Sequence, residues 1–264
     1  MKITKIKLKK LNNTRDLGGI PTMDGKVIKS RCLFRSGKLK KLPKTTKRII
    51  EDFNLDVIID LRTPVEATSV PDTLINKVEY LHFPLPCTAT EQVYNEKSMR
   101  ITYLKEAKRI KSEFQNTDNY MIEMYRYLIT SDYCISTLKK VMACFLKYDR
   151  LLWHCSGGKD RTGLVAILIE SLLGVSEDVI KKDYVISTKF RIKKNSLNKL
   201  GLLICPYSRH FKGILNNMMT AKPMYVDFML DFFKKEYGSV VDYCKKVLLL
   251  TDKDIQLLKD KFLE

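Results

Sequence analysis

Four short runs along the chain read as strands: Leu33-Phe34, Asp56 to Leu61, Val78 to Phe83, and Arg150 to His154. The second is ended by Thr63-Pro64 and the third by Pro84 and Pro86. The clearest of them, Asp56 to Leu61, is continuously apolar rather than alternating, as in parallel strands covered on both faces. Helical periodicity fills the spaces between, over Lys44–Phe53, Tyr120–Leu128, Ile135–Lys147 and Thr162–Leu173. The last of these has apolar residues on nearly every side, so it is expected to be the buried central helix. Gly174 stops it. Ser176 then caps another helix, with Glu177 and Asp178 favourable in the first turn. Thr251-x-x-Asp254 opens a final helix. Residues 11–35 read as a loop leading into a strand, with turn signals at Gly18-Gly19 and Asp24-Gly25. After Pro86 a polar stretch keeps a helical pattern without readable ends. Strands alternating with helices predict an α/β fold with a mainly parallel central sheet flanked by helices. With 264 residues, no internal repeat and no low-complexity linker, the whole chain, 1–264, is expected to be a single domain with one sizeable core.

The fourth run feeds the densest chemistry in the sequence: His154-Cys155-Ser156-Gly157-Gly158-Lys159-Asp160-Arg161-Thr162-Gly163. A free thiol titrates near ~8.5 and attacks well only as thiolate, and a helix N-terminus with nearby cations lowers that value. Cys155 would stand at such an N-terminus, close in sequence to Lys159 and Arg161. Gly157 and Gly158 lack a Cβ and permit the dihedrals that turn successive N–H groups inward, so the loop becomes an anion nest closed by the helix. Arg161 offers a planar fork for two phosphate oxygens, Thr162 a hydroxyl for the sulfur, and Asp160 a carboxyl able to protonate a leaving oxygen. The Cys-x5-Arg spacing alone selects nothing, because it recurs from Cys144 to Arg150 inside a helical pattern without glycine. The glycines and the strand-to-helix context separate the two.

The loop resembles that of the cysteine-dependent protein tyrosine phosphatase superfamily. More narrowly, His-Cys-x-x-Gly-Lys-Asp-Arg-Thr-Gly is similar to the bacterial atypical tyrosine and lipid phosphatases that carry lysine and aspartate within the loop. Asn13-Thr14-Arg15-Asp16-Leu17-Gly18-Gly19, Leu33-Phe34-Arg35-Ser36-Gly37, Val57-Ile58-Ile59-Asp60-Leu61-Arg62-Thr63-Pro64 and the tail around Glu236-Tyr237-Gly238-Ser239 resemble further signatures of that group, in order. Segments of about 89–118 and 190–224 match it less and are read as inserts. The resemblance implies a tyrosine-phosphatase-like fold and a nucleophilic Cys155 that forms a phosphocysteine. It implies that Arg161 stabilises the phosphoryl oxygens and that Ser156, Gly157, Gly158, Lys159 and Thr162 line the phosphate site. Asp160 is the first candidate for general acid, and Asp60, at a strand end, is the rival, weighed against a purely structural role holding Arg62. His154 is expected to order the loop through hydrogen bonds. Arg15 and Asp16 are expected to pair and support the pocket.

Composition adds the partners. The formal net charge is +18, which favours anionic partners such as phosphoproteins and anionic lipid, with peripheral lipid contact compatible. The lysines are scattered, as on solvated faces, and no nucleic-acid-binding motif is present. Residues 1–10 alternate lysine with single apolar residues, unlike a signal peptide. The apolar stretch after the loop ends at Glu170, too short to span a bilayer. Seven cysteines show no disulfide-like or zinc-like spacing, which points to the reducing cytoplasm, with secretion lacking a cleaved signal peptide as the other compatible route. The histidines, at 82, 154 and 210, have no metal-ligand spacing, and thiolate chemistry with arginine requires neither metal nor cofactor. The expected function is thus a metal-independent phosphomonoesterase acting on phosphotyrosine proteins, with dual specificity compatible. The alternatives are a phosphoinositide phosphatase, a non-catalytic phosphate-binding module and, behind these, a sulfur-transfer enzyme.

Overall fold

The protein is described by a computed structural model covering residues 5–87, 117–202 and 220–264, with backbone alone at 117 and 191–202. Nearly all of the expected insert 89–118 and the middle of the other, 190–224, fall outside these residues, as does the polar helical pattern after Pro86.

Five strands form one sheet: β1 (Arg15–Asp16), β2 (Leu33–Gly37), β3 (Val57–Asp60), β4 (Glu79–His82) and β5 (Leu151–Cys155). Their spatial order is β1-β2-β5-β3-β4, with β1 antiparallel to β2 and every other pair parallel. The strand that carries the loop is therefore central, with Gly37 beside Cys155 and Asp60 beside His154. Side chains alternate between two cores, as the period of two requires. Leu33, Val57, Ile59, Leu151 and Trp153 enter the larger core, and Phe34, Ile58 and Leu152 the smaller one on the other face.

Nine helices are present among the described residues. They are α1 (Lys44–Glu51), α2 (Pro64–Ser69), α3 (Thr117–Thr130), α4 (Asp132–Lys147), α5 (Asp160–Leu172), α6 (Glu177–Leu202), α7 (Pro223–Tyr237), α8 (Val240–Lys246) and α9 (Asp252–Phe262). The α/β architecture with a mainly parallel sheet agrees with the sequence pattern. Helix α5 is buried without a break from Arg161 to Glu170, as its all-round apolar sequence predicts. It begins at Asp160, two residues before the expected Thr162. No helix among the described residues is long and apolar enough to cross a membrane.

The pattern did not predict α2, α7 and α8. Helix α2 is short and has no apolar stripe. Its start is chemical: Thr63 and Glu66 form a reciprocal capping box, and Pro64 occupies the first turn. Helix α7 likewise begins at a proline and ends where Gly238 takes a φ of 101°.

Candidate active site

Cys155 is the last residue of β5 and is 3% exposed. The next four residues turn the chain into α5. The loop lies beyond the carboxyl end of the central strand, where open α/β sheets place ligands. Trp153 Nε1 donates to the Thr162 carbonyl at 3.0 Å, fastening the helix start to the strand beneath it.

The loop is gripped from behind. Asn13 Nδ2 donates to the Gly158 carbonyl at 2.6 Å and to the Gly157 carbonyl at 3.3 Å, and Arg35 Nη2 reaches the Gly158 carbonyl at 3.3 Å. In a trans peptide the C=O and the following N–H point in opposite directions. Holding these two carbonyls on the β1 side therefore turns the N–H groups of Gly158 and Lys159 the other way, the geometry of an anion nest. Gly158 has a φ of +65° and lies so close to β2 that a Cβ would stand 2.4 Å from the Ser36 carbonyl oxygen. Only glycine fits there.

Burial acts to raise the Cys155 thiol's pKa. The Arg161 charge, with the Thr162 hydroxyl and backbone N–H, outweighs it, and the net direction is downward. The Thr162 hydroxyl is buried and has no oxygen or nitrogen partner among the described residues. Arg161 is held by Glu66 of α2: Nη1 donates to Oε2 at 2.5 Å and Nη2 to Oε1 at 2.9 Å. The Ser156 hydroxyl donates to the same Oε1 at 2.5 Å. Burial disfavours the Glu66 carboxylate, but Arg161, Ser156 and the Thr63 N–H bring its pKa down to about 2.

Asp160 stands at the rim, its side chain 22% exposed. The Tyr125 hydroxyl donates to its Oδ1, and Lys159 Nζ lies 3.0 Å from the same atom. Lys159 is buried rather than solvated. It is 1% exposed, donates to the Thr220 carbonyl at 3.1 Å and lies 5.8 Å from the centre of the Tyr225 ring.

The remaining expected residues stand apart. His154 points to the opposite face of the sheet from Cys155, as its neighbour on a strand must. Its Nε2 is 3.2 Å from the Tyr80 hydroxyl and 3.4 Å from Asp72 Oδ2, and its Nδ1 is 3.4 Å from the Cys155 carbonyl. Burial lowers its pKa, despite Asp60 and Asp72 nearby. Asp60 is occupied by Arg62: Oδ1 accepts from the Arg62 backbone N–H and Nε, both at 2.9 Å, and Oδ2 accepts from Nη2 at 2.7 Å. Asp60, Asp72 and His154 also form a compact set of ligand-type atoms. The Arg62 guanidinium bonds to both carboxylates and already supplies the cation there.

The expected pair of Arg15 and Asp16 is not formed. Consecutive strand residues face opposite ways, so their side chains diverge. Arg15 instead donates through Nε to Asp183 Oδ1 at 2.6 Å, while Asp16 accepts from the Gly18 and Arg31 N–H groups at 2.9 and 2.6 Å. Arg15 still supports the loop, by another route. It donates to Asn13 Oδ1 at 2.7 Å, and Asp183 also accepts from Arg35. Asn13, Arg15, Asp183 and Arg35 thus close a buried ring of contacts on the Gly158 carbonyl.

The sequence pattern that defines the tyrosine phosphatase family matches residues 6–264. The chain belongs to the tyrosine phosphatase family. Among curated proteins it is 25% identical over 260 residues to a protein of Cupriavidus necator provisionally named a tyrosine-protein phosphatase, covering 96% of this chain and 86% of that one. It is 24% identical over 184 residues to the triple specificity protein phosphatase PtpB of Mycobacterium tuberculosis, covering 66% of this chain and 65% of the relative. This phosphatase is a hydrolase of phosphorylated substrates, and cysteine dependence is a general property of its family.

Five residues of the site, Glu66, Asn13, Arg35, Asp183 and Tyr125, have no role that the sequence pattern predicts. For Glu66 a signal was available, since Thr-Pro-x-Glu is a capping-box sequence. For Tyr125 and Asp183 there was none, because their partners are distant in the chain.

Proposed function

We propose that this phosphatase hydrolyses phosphotyrosine proteins through a phosphocysteine on Cys155, with Arg161 holding the phosphoryl oxygens and Asp160 as acid and then base. The observation that carries the reading is the Cys155 thiol, buried at the start of α5 and shifted toward thiolate by Arg161 and Thr162. The thiolate attacks phosphorus in line. The P–S bond forms as the ester P–O bond breaks, and the leaving oxygen takes its proton from Asp160. Water then attacks phosphorus, Asp160 accepts its proton, and the P–S bond breaks to return thiolate and inorganic phosphate.

Glu66 takes the end of the Arg161 fork formed by Nη1 and Nη2. The Nε side, which makes no hydrogen bond to a described residue, is left for the equatorial oxygens that spread charge in phosphoryl transfer. The carbonyls held by Asn13 support a nest of N–H groups beneath the same oxygens. Ser156, Gly157, Gly158 and Thr162 complete this lining.

Asp160 is favoured over Asp60 because Asp60 has both oxygens committed to Arg62 and shares the face of His154. The phosphotyrosine assignment, rather than a multiply phosphorylated inositol headgroup, is supported by Lys159. Its ammonium is buried, donates to the Thr220 carbonyl and lies 3.0 Å from Asp160, which supports a role in ordering the acid more than one as a second phosphate ligand.

The test is hydrolysis of p-nitrophenyl phosphate in chelator by wild type and Cys155→Ser, with and without vanadate. Metal-free turnover that vanadate blocks and the serine variant lacks is expected. Turnover that needs magnesium, or that survives Cys155→Ser, would reject the mechanism and leave a phosphate-binding module or another chemistry. A panel of phosphotyrosine, phosphoserine and phosphothreonine peptides and phosphoinositide vesicles then tests the substrate. Faster turnover of phosphoinositide than of every peptide would overturn the phosphotyrosine assignment.

A further inference from the structure

Tyr125 is fully buried in α3, yet its hydroxyl reaches the rim of the loop. Among the described residues the hydroxyl has two polar partners, Asp160 Oδ1 and the Tyr184 hydroxyl. Each phenol carries one proton. The carboxylate oxygen can only accept, so Tyr125 donates to Asp160, and the Tyr184 proton must then point to Tyr125. The result is a directed chain, Tyr184 to Tyr125 to Asp160, running from α6 through α3 to the first residue of α5.

The chain also accounts for Gly163. A Cβ there would stand 3.0 to 3.1 Å from two carbons of the Tyr184 ring, closer than the ring could comfortably tolerate. Glycine lets Tyr184 lie against α5 and bring its hydroxyl to Tyr125. Burial, followed by the Asp160 charge, pushes the Tyr125 phenol far above its ordinary range, so it remains a donor throughout the accessible pH range.

With Tyr125 and Lys159 both on Oδ1, the two oxygens of Asp160 are unequal. Oδ2 has no hydrogen-bond partner among the described residues. We propose that Tyr125 is the positioning residue of the acid: it pins Oδ1 of Asp160 so that Oδ2 carries the proton transferred to the leaving oxygen. Tyr184 orients Tyr125 in turn. The inference rests on the reading of Asp160 as the acid. During ester cleavage the proton leaves Oδ2 as the P–O bond breaks and the P–S bond forms. During hydrolysis Oδ2 receives a proton from the attacking water as the P–S bond breaks. Tyr125 gives up no proton in either step.

A positioning role has a signature that a packing role lacks, because loss of an acid slows esters with poor leaving groups far more than those with good ones. The full chain is assayed on p-nitrophenyl phosphate and on phenyl phosphate, as wild type, Tyr125→Phe, Tyr184→Phe, Asp160→Asn and Tyr125→Phe/Asp160→Asn. Tyr125→Phe is expected to lower kcat/KM, which reports ester cleavage alone, about 10-fold on phenyl phosphate and less than about 2-fold on p-nitrophenyl phosphate, with vanadate affinity kept. Tyr184→Phe should shift the same ratio in the same direction by a smaller factor. It gives the answer if Tyr125→Phe fails to fold. The double variant should be no slower than Asp160→Asn, since the two residues act as a unit. Equal slowing of both substrates by the tyrosine variants, or a double variant slower than Asp160→Asn by the full Tyr125→Phe factor, overturns the proposal. Asp160→Asn separates the two levels. If it slows both substrates alike, the acid assignment itself has failed. If it shows the leaving-group signature and the tyrosine variants do not, the acid stands and only the role of Tyr125 falls.

Discussion

Glu66 and Arg161 meet end to end, Oε2 to Nη1 at 2.5 Å and Oε1 to Nη2 at 2.9 Å, and the Ser156 hydroxyl joins at the same Oε1. One carboxylate on a six-residue helix therefore sets the guanidinium and the first residue after the thiol together. Glu66→Gln keeps the shape and removes the charge. It is expected to lower kcat/KM on an aryl phosphate by about 100-fold, the scale of a misplaced catalytic group. Steady-state kinetics beside a circular dichroism spectrum check this. An unchanged kcat/KM in a folded variant would contradict it.

The same pair predicts a pH dependence of stability. The Glu66 carboxyl is held at about 2 in the folded protein, against about 4.3 for an unfolded glutamate. A depressed carboxylate contributes stability that is complete above the unfolded value and is lost as pH falls from there through the folded one. The contribution is roughly 3 kcal/mol. Urea unfolding at pH 6 and pH 3 should show wild type losing more stability than Glu66→Gln over that interval. Equal losses would exclude Glu66 as the source.

Behind the loop, Asp183 and Glu170 are both buried carboxyls with opposite fates. Burial alone would raise Asp183, but Arg15 and Arg35 hold its pKa below the ordinary range. Burial, reinforced by the Asp183 charge, pushes Glu170 far above that range, toward its neutral form. Asp183→Asn leaves two buried guanidinium groups without their counter-charge and should cost about 3–5 kcal/mol in denaturant unfolding. Glu170→Gln puts a neutral amide where burial favours the uncharged acid and should cost at most about 1 kcal/mol. The reverse order of the two midpoints would refute this division of charge.

Gly158 and Gly174 both have positive φ, +65° and +83°, but only Gly158 also lacks room for a Cβ. Gly174→Ala should therefore show only the backbone cost of about 1–2 kcal/mol and keep its vanadate affinity. Gly158→Ala adds a collision with β2 and should lose vanadate binding. Isothermal titration of both variants with vanadate distinguishes them, and wild-type affinity in Gly158→Ala would contradict the packing of the loop on Ser36.

The elements legible in the sequence are those whose signal is local. Strand β3 shows as a continuous apolar run, and α5 shows as a helix apolar on all sides. The loop between β5 and α5 is readable because its chemistry lies within ten consecutive residues. What supports the loop was not readable. Asn13 and Gly158 are 145 positions apart, and Arg15 and Asp183 are 168 apart. Arg15 beside Asp16 looks like an ion pair in one dimension, and the strand pleat forbids it. Lys159 looks like a solvated or phosphate-facing charge, and the turn into α5 buries it against Thr220 and Tyr225. Asp60 could be read either as acid or as anchor, and in the structure both of its oxygens accept from Arg62, two residues on.

The proposed chemistry depends most on the state of one sulfur. Iodoacetamide alkylation rates measured across pH, taken as wild type minus Cys155→Ser and repeated with vanadate, follow the ionisation of Cys155 alone. The expected midpoint lies below the ordinary free-thiol value, about 8.5, and vanadate should abolish the difference signal. A midpoint at or above that value, or alkylation that vanadate leaves untouched, would contradict a thiolate held beside the phosphate site.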